Sequence, residues 1–178
     1  MTVRSRLVSD RTTGARTGLV SAGLTAVALG IAGAVGVLTG QPWLFPSLGP
    51  TVMVLAETPE QPAANPVNVL VGHLVGILAG YGSLVVTGLT DSPPVLVSGI
   101  DTPRVVAAAL SVAVTTLVLQ AVGRPHPPAG ATTLIVSLGL LITGRDLITM
   151  MLAVAVVTGL VTALNAAFSA RQDGVGTG

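Results

Sequence analysis

The chain is poor in charge and has no cysteine. Charged residues make up only 8% of its 178 residues, whereas soluble domains average roughly 25%. Without cysteine the chain can form neither a disulfide framework nor a thiolate metal site, and its two histidines are too few for a metalloenzyme. A net charge of +1 excludes nucleic-acid binding based on bulk electrostatics.

The sequence motifs of common enzymes are also missing. The chain contains no Gly-x-Ser-x-Gly motif, no phosphate-binding P-loop and no dinucleotide fingerprint. No Asp, Glu or Arg stands in the middle of an apolar segment, which argues against a proton pump built on a buried carboxylate and against a voltage sensor. We therefore expect no enzyme activity, no cofactor and no metal.

Apolar residues dominate what is present. The chain is 51% hydrophobic, and its mean hydropathy is +0.85. The first apolar run, Gly18–Thr39, is longer than the roughly 7–15 residues found in the apolar region of a signal peptide. These features predict an integral membrane protein with the lipid bilayer as its main partner. We expect a basic tail over residues 1–17, one transmembrane domain over 18–169 and a flexible C-terminal tail over 170–178.

Six apolar segments follow the order long, short, long, and this order occurs twice. Crossing the hydrocarbon core takes roughly 20 helical residues, so the second and fifth segments are marginal. The sequence therefore predicts an all-α membrane protein with four full spans and two short helices broken by Pro and Gly. The segments cover Gly18–Thr39, Leu44–Ala56, Val67–Leu89, Arg104–Val122, Ala129–Thr143 and Leu147–Phe168.

The two halves also match residue by residue. Adding 81 to the number of Pro46, Gly49 or Thr51 gives another Pro, Gly or Thr, so we predict repeats over 18–89 and 100–169. Small residues spaced by four let helix backbones approach closely in lipid, and the stripes that they form predict contacts within the bundle and a possible homo-oligomer. The four stripes are Ala26/Gly30/Ala34, Gly72/Gly76/Gly80, Ala107/Ser111/Thr115 and Ala155/Gly159/Ala163.

The arginines orient the chain, because cytoplasmic loops of membrane proteins carry an excess of basic residues. If all six segments cross the membrane, six arginines lie on one side and two on the other, and the split is the same if the short segments are re-entrant. Both models place the termini in the cytoplasm, and we expect the plasma (inner) membrane. Six crossings give an inverted repeat, whereas four give a parallel one. The majority side in the six-crossing model holds Arg4, Arg6, Arg11, Arg16, Arg124 and Arg171.

The two broken helix starts are the candidate site. A helix N-terminus presents unpaired N–H groups and a partial positive charge, so two such ends that meet near mid-membrane predict a small-anion site. The alternative is a pair of Pro-kinked helix starts capped by water. His73, inside the third segment, is either a structural histidine or a relay. The predicted substrate-binding residues are Pro46, Ser47, Gly49, Thr51, Asn68, His73, His126, Pro127, Pro128, Gly130, Ala131, Thr132 and Thr133.

The run from His126 to Thr132, His-Pro-Pro-Ala-Gly-Ala-Thr, resembles the HPP family of integral membrane proteins, which is named for its His-Pro-Pro motif. The stretches 46–51 and 62–73 are similar to the family pattern as well, although the family usually has Ala where Pro50 stands. The resemblance covers residues 18–168 and implies a transporter, usually described with four spans. Plant chloroplast and cyanobacterial members are associated with nitrite transport, so nitrite is implied by the resemblance alone.

These observations together predict a transporter or channel for a small inorganic anion, with no nucleic-acid partner, and the resemblance implies that the anion is nitrite. One alternative is a structural or regulatory membrane subunit without a substrate. The other is a membrane enzyme that uses His126, although no second catalytic group is evident beside it.

Overall fold

The structure is a computed structural model that describes residues 3–175. The side chains of residues 3–13, 16 and 171–175 lie outside this description, and with them the tail arginines Arg4, Arg6, Arg11 and Arg16. The backbone of the predicted basic tail is helical from Val3 onward and continuous with the first span. Of the predicted C-terminal tail, residues 176–178 are not described.

The described part of the chain contains seven α-helices and no strand, which confirms the predicted all-α class. Four stretches are long and apolar enough to cross a membrane: Thr17–Thr39, Pro66–Thr87, Thr102–Ala121 and Gly144–Ala170. Two short helices, of 10 and 9 residues, stand where the broken segments were predicted. The helices are α1 (Val3–Thr39), α2 (Leu48–Glu57), α3 (Pro66–Thr87), α4 (Val95–Ser98), α5 (Thr102–Ala121), α6 (Ala129–Ser137) and α7 (Gly144–Val175), with a 3-10 turn at Pro62–Ala64.

Side-chain caps set where two of the long helices begin. The Asn65 side chain accepts the Val67 amide at 2.9 Å, and Pro66 opens α3. The Asp101 side chain accepts the Arg104 amide at 2.8 Å at the start of α5. Both are N-caps followed by proline in the first turn, where its missing N–H costs no hydrogen bond.

In the first half, α2 runs back along α1. Ser21 lies near Thr17, where the part of α1 that can cross the membrane begins. Its hydroxyl donates to the Ala56 carbonyl at the end of α2 over 3.0 Å. Trp43, just before α2, packs against Gly36 near the end of α1. The chain turns between them at Gly40, whose φ of 63° suits glycine. Residues 41–57 therefore return to the side on which the α1 span began.

In the second half, α6 runs back along α5 in the same way. Arg104 at the start of α5 donates to the Ser137 carbonyl at the end of α6 over 3.3 Å, and Thr115 pairs with Thr133 at 2.9 Å near their middles. Each half thus traverses the bundle three times. Because three is odd, the second half is inverted relative to the first, which decides between the two topologies that the sequence left open.

The same pairs of helices are in contact when the two halves are exchanged, although α3 packs more extensively on α5 and α6 than α7 does on α1 and α2. The pair α1–α2 corresponds to α5–α6, α3–α6 to α7–α2, and α3–α5 to α7–α1, while α3 and α7 contact each other. Asn165 of α7 donates to the Leu55 carbonyl over 2.8 Å, so α7 ends beside the end of α2. Ser21, near the start of the α1 span, also contacts the end of α2. The start of the α1 span and the end of the α7 span therefore lie on the same side of the bundle.

The glycine stripe of α3 forms the tightest helix contact. A Cβ added at Gly76 would lie 2.8 Å from the Ala129 carbonyl oxygen, and one at Gly80 would lie 2.8 Å from the Val136 Cβ. The stripe Ala107/Ser111/Thr115 on α5 is buried as well. For the other two stripes, the prediction of packing within the bundle is wrong, since Ala26/Gly30/Ala34 and Ala155/Gly159/Ala163 are exposed.

On α7 the buried positions follow the offset of 81 that relates the short helices. Ala153, Val157 and Val161 are buried and correspond to Gly72, Gly76 and Gly80. The inner face of α7 is therefore displaced by two residues from the predicted small stripe. On α3, glycine lets the backbone of α6 approach closely, whereas on α7 valine side chains fill the corresponding positions. The contact between α7 and α2 therefore does not depend on glycine.

Candidate functional site

The starts of the two short helices meet inside the protein. The Ser47 hydroxyl, immediately before α2, lies 2.6 Å from the Thr132 hydroxyl in the first turn of α6. Both residues are fully buried. The two broken elements thus share a hydrogen bond between residues that are 85 positions apart in the chain.

His73 of α3 joins the two short helices. Its Nδ1 lies 2.6 Å from the Thr132 hydroxyl, and its Nε2 lies 2.9 Å from the Thr51 hydroxyl. Thr51 in turn donates to the Ser47 carbonyl over 2.8 Å. At a rise of about 1.5 Å per residue, His73 lies roughly 10 Å along the axis from the start of α3, well within the span.

His126 approaches His73 from the segment before α6. The two Nε2 atoms are 3.3 Å apart, and the ring planes are inclined by 55°. The His126 Nδ1 lies 2.8 Å from the carbonyl oxygen of Ala63, in the 3-10 turn before α3. Gly72 makes room for this ring, because a Cβ there would lie 2.9 Å from the His126 Cβ. We call Ser47, Thr51, His73, His126 and Thr132 the central network.

The Ala63 carbonyl fixes the direction of hydrogen bonding in the central network. A carbonyl only accepts, so the His126 Nδ1 carries the proton, and in the neutral ring its Nε2 is an acceptor. The His73 Nε2 then carries a proton, which it shares between the Thr51 oxygen at 2.9 Å and the His126 Nε2 at 3.3 Å. The His73 Nδ1 accepts from Thr132. Thr132 in turn accepts from Ser47. The acceptor role of the Ala63 carbonyl therefore determines which atom donates at each step of the chain from Ser47 to Ala63.

Two cavities lie near the central network, and of its members only His126 lines one of them, the first. One, of about 270 Å³, lies on the α5 side of His126. Its polar and small lining residues are Thr115, Thr116, Gln120, His126 and Gly130. The other, of about 440 Å³, opens at the connection between α2 and α3, where Glu60, Asn65 and Asn68 line it. A route from His126 to the surface therefore exists on the α5 side.

Asn68, one of the predicted site residues, ties two connections together beside His126. Its side-chain amide donates to the Pro62 carbonyl over 2.8 Å and accepts from Arg124 over 3.2 Å. Thr133, another predicted site residue, faces α5 and donates to the Ala129 carbonyl over 3.0 Å. Neither side chain hydrogen-bonds to the central network. Both instead hold the segments that carry it.

The first turn of α6 has few free backbone donors. The amides of Ala129, Gly130 and Ala131 donate to the carbonyls three residues earlier, at 3.0, 3.0 and 3.1 Å. Pro127 and Pro128 have no N–H at all. Pro46 and Pro127 are exposed, Pro128 is buried, and Gly49, Gly130 and Ala131 are half-buried. The polar groups that converge at the meeting point are therefore mainly side chains.

Sequence reasoning missed the backbone carbonyl of Ala63 and the side chains of Gln120 and Arg124. An alanine carries no signal that its carbonyl will bind a distant histidine. Arg124 stands two residues before His126, and an arginine next to a polar helix start is a signal that could have been followed. No group of three or more His, Cys, Asp or Glu side chains converges in the described part of the chain.

The central network draws three residues from the first repeat and two from the second, but apart from one pair these residues do not correspond to one another. At the offset of 81, His126 corresponds to Phe45 and His73 to Val154, and both of these are buried and apolar. Only Thr51 and Thr132 form a matching polar pair, and both contact His73. The inverted architecture is thus near-symmetric, whereas its polar centre is not.

A family model described as the HPP transmembrane region matches residues 11–173. The chain belongs to this family, and the resemblance in the His-Pro-Pro run is confirmed. No curated protein and no solved structure matches the chain.

Proposed function

We propose that this HPP-family membrane protein is a transporter or channel for a small monovalent inorganic anion, with nitrite as the first substrate to test. The observation that carries the proposal is the 2.6 Å contact between Ser47 and Thr132, which joins the starts of α2 and α6 inside the bundle. Interrupted helices in corresponding positions of two inverted halves are typical of substrate sites in secondary transporters.

The anion binds where the positive ends of the α2 and α6 dipoles face each other. The hydroxyls of Ser47, Thr51 and Thr132 are the main donors, and they exchange their present acceptors within the protein for the anion when it binds. His126 and the cavity beside it form the mouth of the site. The protein lies in the plasma (inner) membrane. Both of its termini are on the cytoplasmic side, as the arginine distribution predicts.

The test is anion uptake into proteoliposomes, with empty liposomes alongside because nitrous acid crosses lipid unaided. Nitrite, nitrate, formate and chloride are compared. Thr132→Val should weaken binding by about 1 kcal/mol or somewhat more, the scale of one hydrogen bond, which is a five- to tenfold rise in the half-saturating concentration. Thr87→Val is the matched control. The Thr87 hydroxyl donates to the Ser83 carbonyl at the end of α3, away from the central network.

A structural or regulatory subunit without a substrate is the second candidate, and one observation favours it. All members of the central network have hydrogen-bond partners within the protein, and Thr158 has the single buried unpaired side-chain oxygen among the described residues. Uptake equal to that of empty liposomes for all four anions would decide for this alternative.

A further inference from the structure

The central network is a continuous chain of hydrogen bonds that leads out of the bundle centre. It runs from Ser47 through Thr132 and the two histidine rings to the Ala63 carbonyl, with successive distances of 2.6, 2.6, 3.3 and 2.8 Å. One end lies at the meeting point of α2 and α6, and the other lies in the connection between α2 and α3. An anion site alone needs donors at the meeting point. It does not need two histidines in series behind it.

We propose that this chain of hydrogen bonds is a proton path, and that the protein moves a proton together with its anion. The inference rests on the proposed transport function and adds the coupling ion to it. The direction of the resting hydrogen bonds, fixed by Ala63, is the direction in which a proton can pass from the meeting point to the α2–α3 connection.

The transfer conserves protons and breaks no bond between heavy atoms. Water or the conjugate acid of the anion gives a proton to the Ser47 oxygen, which passes its own hydroxyl proton to Thr132. Thr132 passes its proton to the His73 Nδ1, and the His73 Nε2 proton moves to the His126 Nε2. The resulting His126 imidazolium releases its Nδ1 proton past the Ala63 carbonyl to water in the cavity that Pro62 and Ala64 line at the α2–α3 connection. One proton has entered and one has left.

No acidic side chain hydrogen-bonds to the central network in the described part of the chain, so no carboxylate holds the proton there. Arg124, before α6, is held by Asn68 of α3. The remaining charged groups on the packed elements stand at the ends of the bundle. Among the described side chains they are Glu57 and Glu60 on the α2–α3 side, and Asp91, Asp101, Arg104, Arg145 and Asp146 on the opposite side.

The first experiment measures protein-dependent uptake in phosphatidylcholine vesicles, with the rate in empty vesicles subtracted. Equal potassium on both sides with valinomycin holds the membrane potential at zero. With the outside one pH unit more acidic, coupling one proton to each anion supports about tenfold accumulation. His73→Gln and His126→Gln keep amide hydrogen bonds but cannot relay a proton. We expect both to lose the response to the pH gradient, measured for each variant as the ratio of its own uptake rates with and without the gradient.

A matched serine pair separates the path from general packing. Ser47→Ala removes the first hydroxyl of the path and should abolish the pH-gradient response. Ser111→Ala removes a buried hydroxyl that donates to Ala108 on α5, outside the path, and should leave the response intact. Downhill uptake without any pH-gradient response in the wild type overturns proton coupling and leaves the transporter. Absence of all uptake overturns both, and a response that survives His73→Gln removes the path.

A second measurement does not depend on activity or on folding of a variant. The chain has two histidines, so selective ¹⁵N labelling gives two rings and four nitrogen signals. We expect the proton on Nδ1 of His126 and on Nε2 of His73 in the wild-type protein in detergent. A His126 ring with its proton on Nε2 reverses the direction of the chain and overturns the assignment.

Discussion

Two glycines on α3, six residues apart, should respond with opposite signs to the same substitution. A Cβ at Gly76 would lie 2.8 Å from the Ala129 carbonyl oxygen and 2.9 Å from the Thr133 hydroxyl. A Cβ at Gly82 would meet no atom within 4 Å. Both positions lie inside the helix, so both gain about 0.5–1 kcal/mol from replacing glycine by alanine.

The difference between the two variants isolates the contact with α6. Overpacking costs about 1–3 kcal/mol, and the backbone carbonyl of Ala129 cannot move without moving α6. Gly76→Ala should therefore be neutral to about 2.5 kcal/mol destabilising, while Gly82→Ala should stabilise by about 0.5–1 kcal/mol.

The assay is thermal unfolding of purified protein in one detergent, with wild type, Gly76→Ala and Gly82→Ala measured together. We expect the apparent midpoint to fall for Gly76→Ala, and to fall further for Gly76→Leu, while it rises or stays for Gly82→Ala. Equal midpoints for the two alanine variants would show that the α3 stripe is not packed against α6.

Three further predictions concern the architecture. The pair Ser47→Cys and Thr132→Cys, in a chain with no native cysteine, should form an intramolecular disulfide on oxidation, seen as a thiol-reversible shift on a gel; persistence of free thiols in both would separate the helix starts. Asp101→Ala removes the cap on the Arg104 amide and should cost about 1 kcal/mol, whereas Asp91→Ala, at an exposed loop position, should cost little; equal losses would contradict the cap. Arg104→Met leaves the Ser137 and Pro93 carbonyls without their donor and should lower the unfolding midpoint, and an unchanged midpoint would contradict that role.

The features that could be read from the sequence are those set by local chemistry. Proline and glycine at 46–50 and 127–130 mark the short helices, because proline cannot continue a helix from within. Asn65 before Pro66 marks the start of α3 for a similar reason. The glycine stripe of α3 was readable because three glycines at a spacing of four leave one helix face without side chains.

The features that could not be read depend on which helices become neighbours. Arginine counts give the same split for four and six crossings. The Ser21–Ala56 contact distinguishes the two models, because it shows that residues 41–57 return to the side on which the α1 span began. His73 could face lipid, a neighbouring helix or a cavity with equal justification until Thr51, Thr132 and His126 are placed around it. The stripe at Ala155, Gly159 and Ala163 misled because small size does not reveal which face of α7 turns inward.

The order in which helices leave the ribosome gives the two short helices different histories. The neighbours of α6 are α3 and α5, which both precede it in the chain, so it can pack as soon as it is synthesised. The neighbours of α2 include α7, which is made last. With only 10 helical residues and an irregular approach, α2 cannot satisfy its backbone in lipid alone. The first broken segment can pack on α1 early, but it completes its contacts only when α7 is made, near the end of translation.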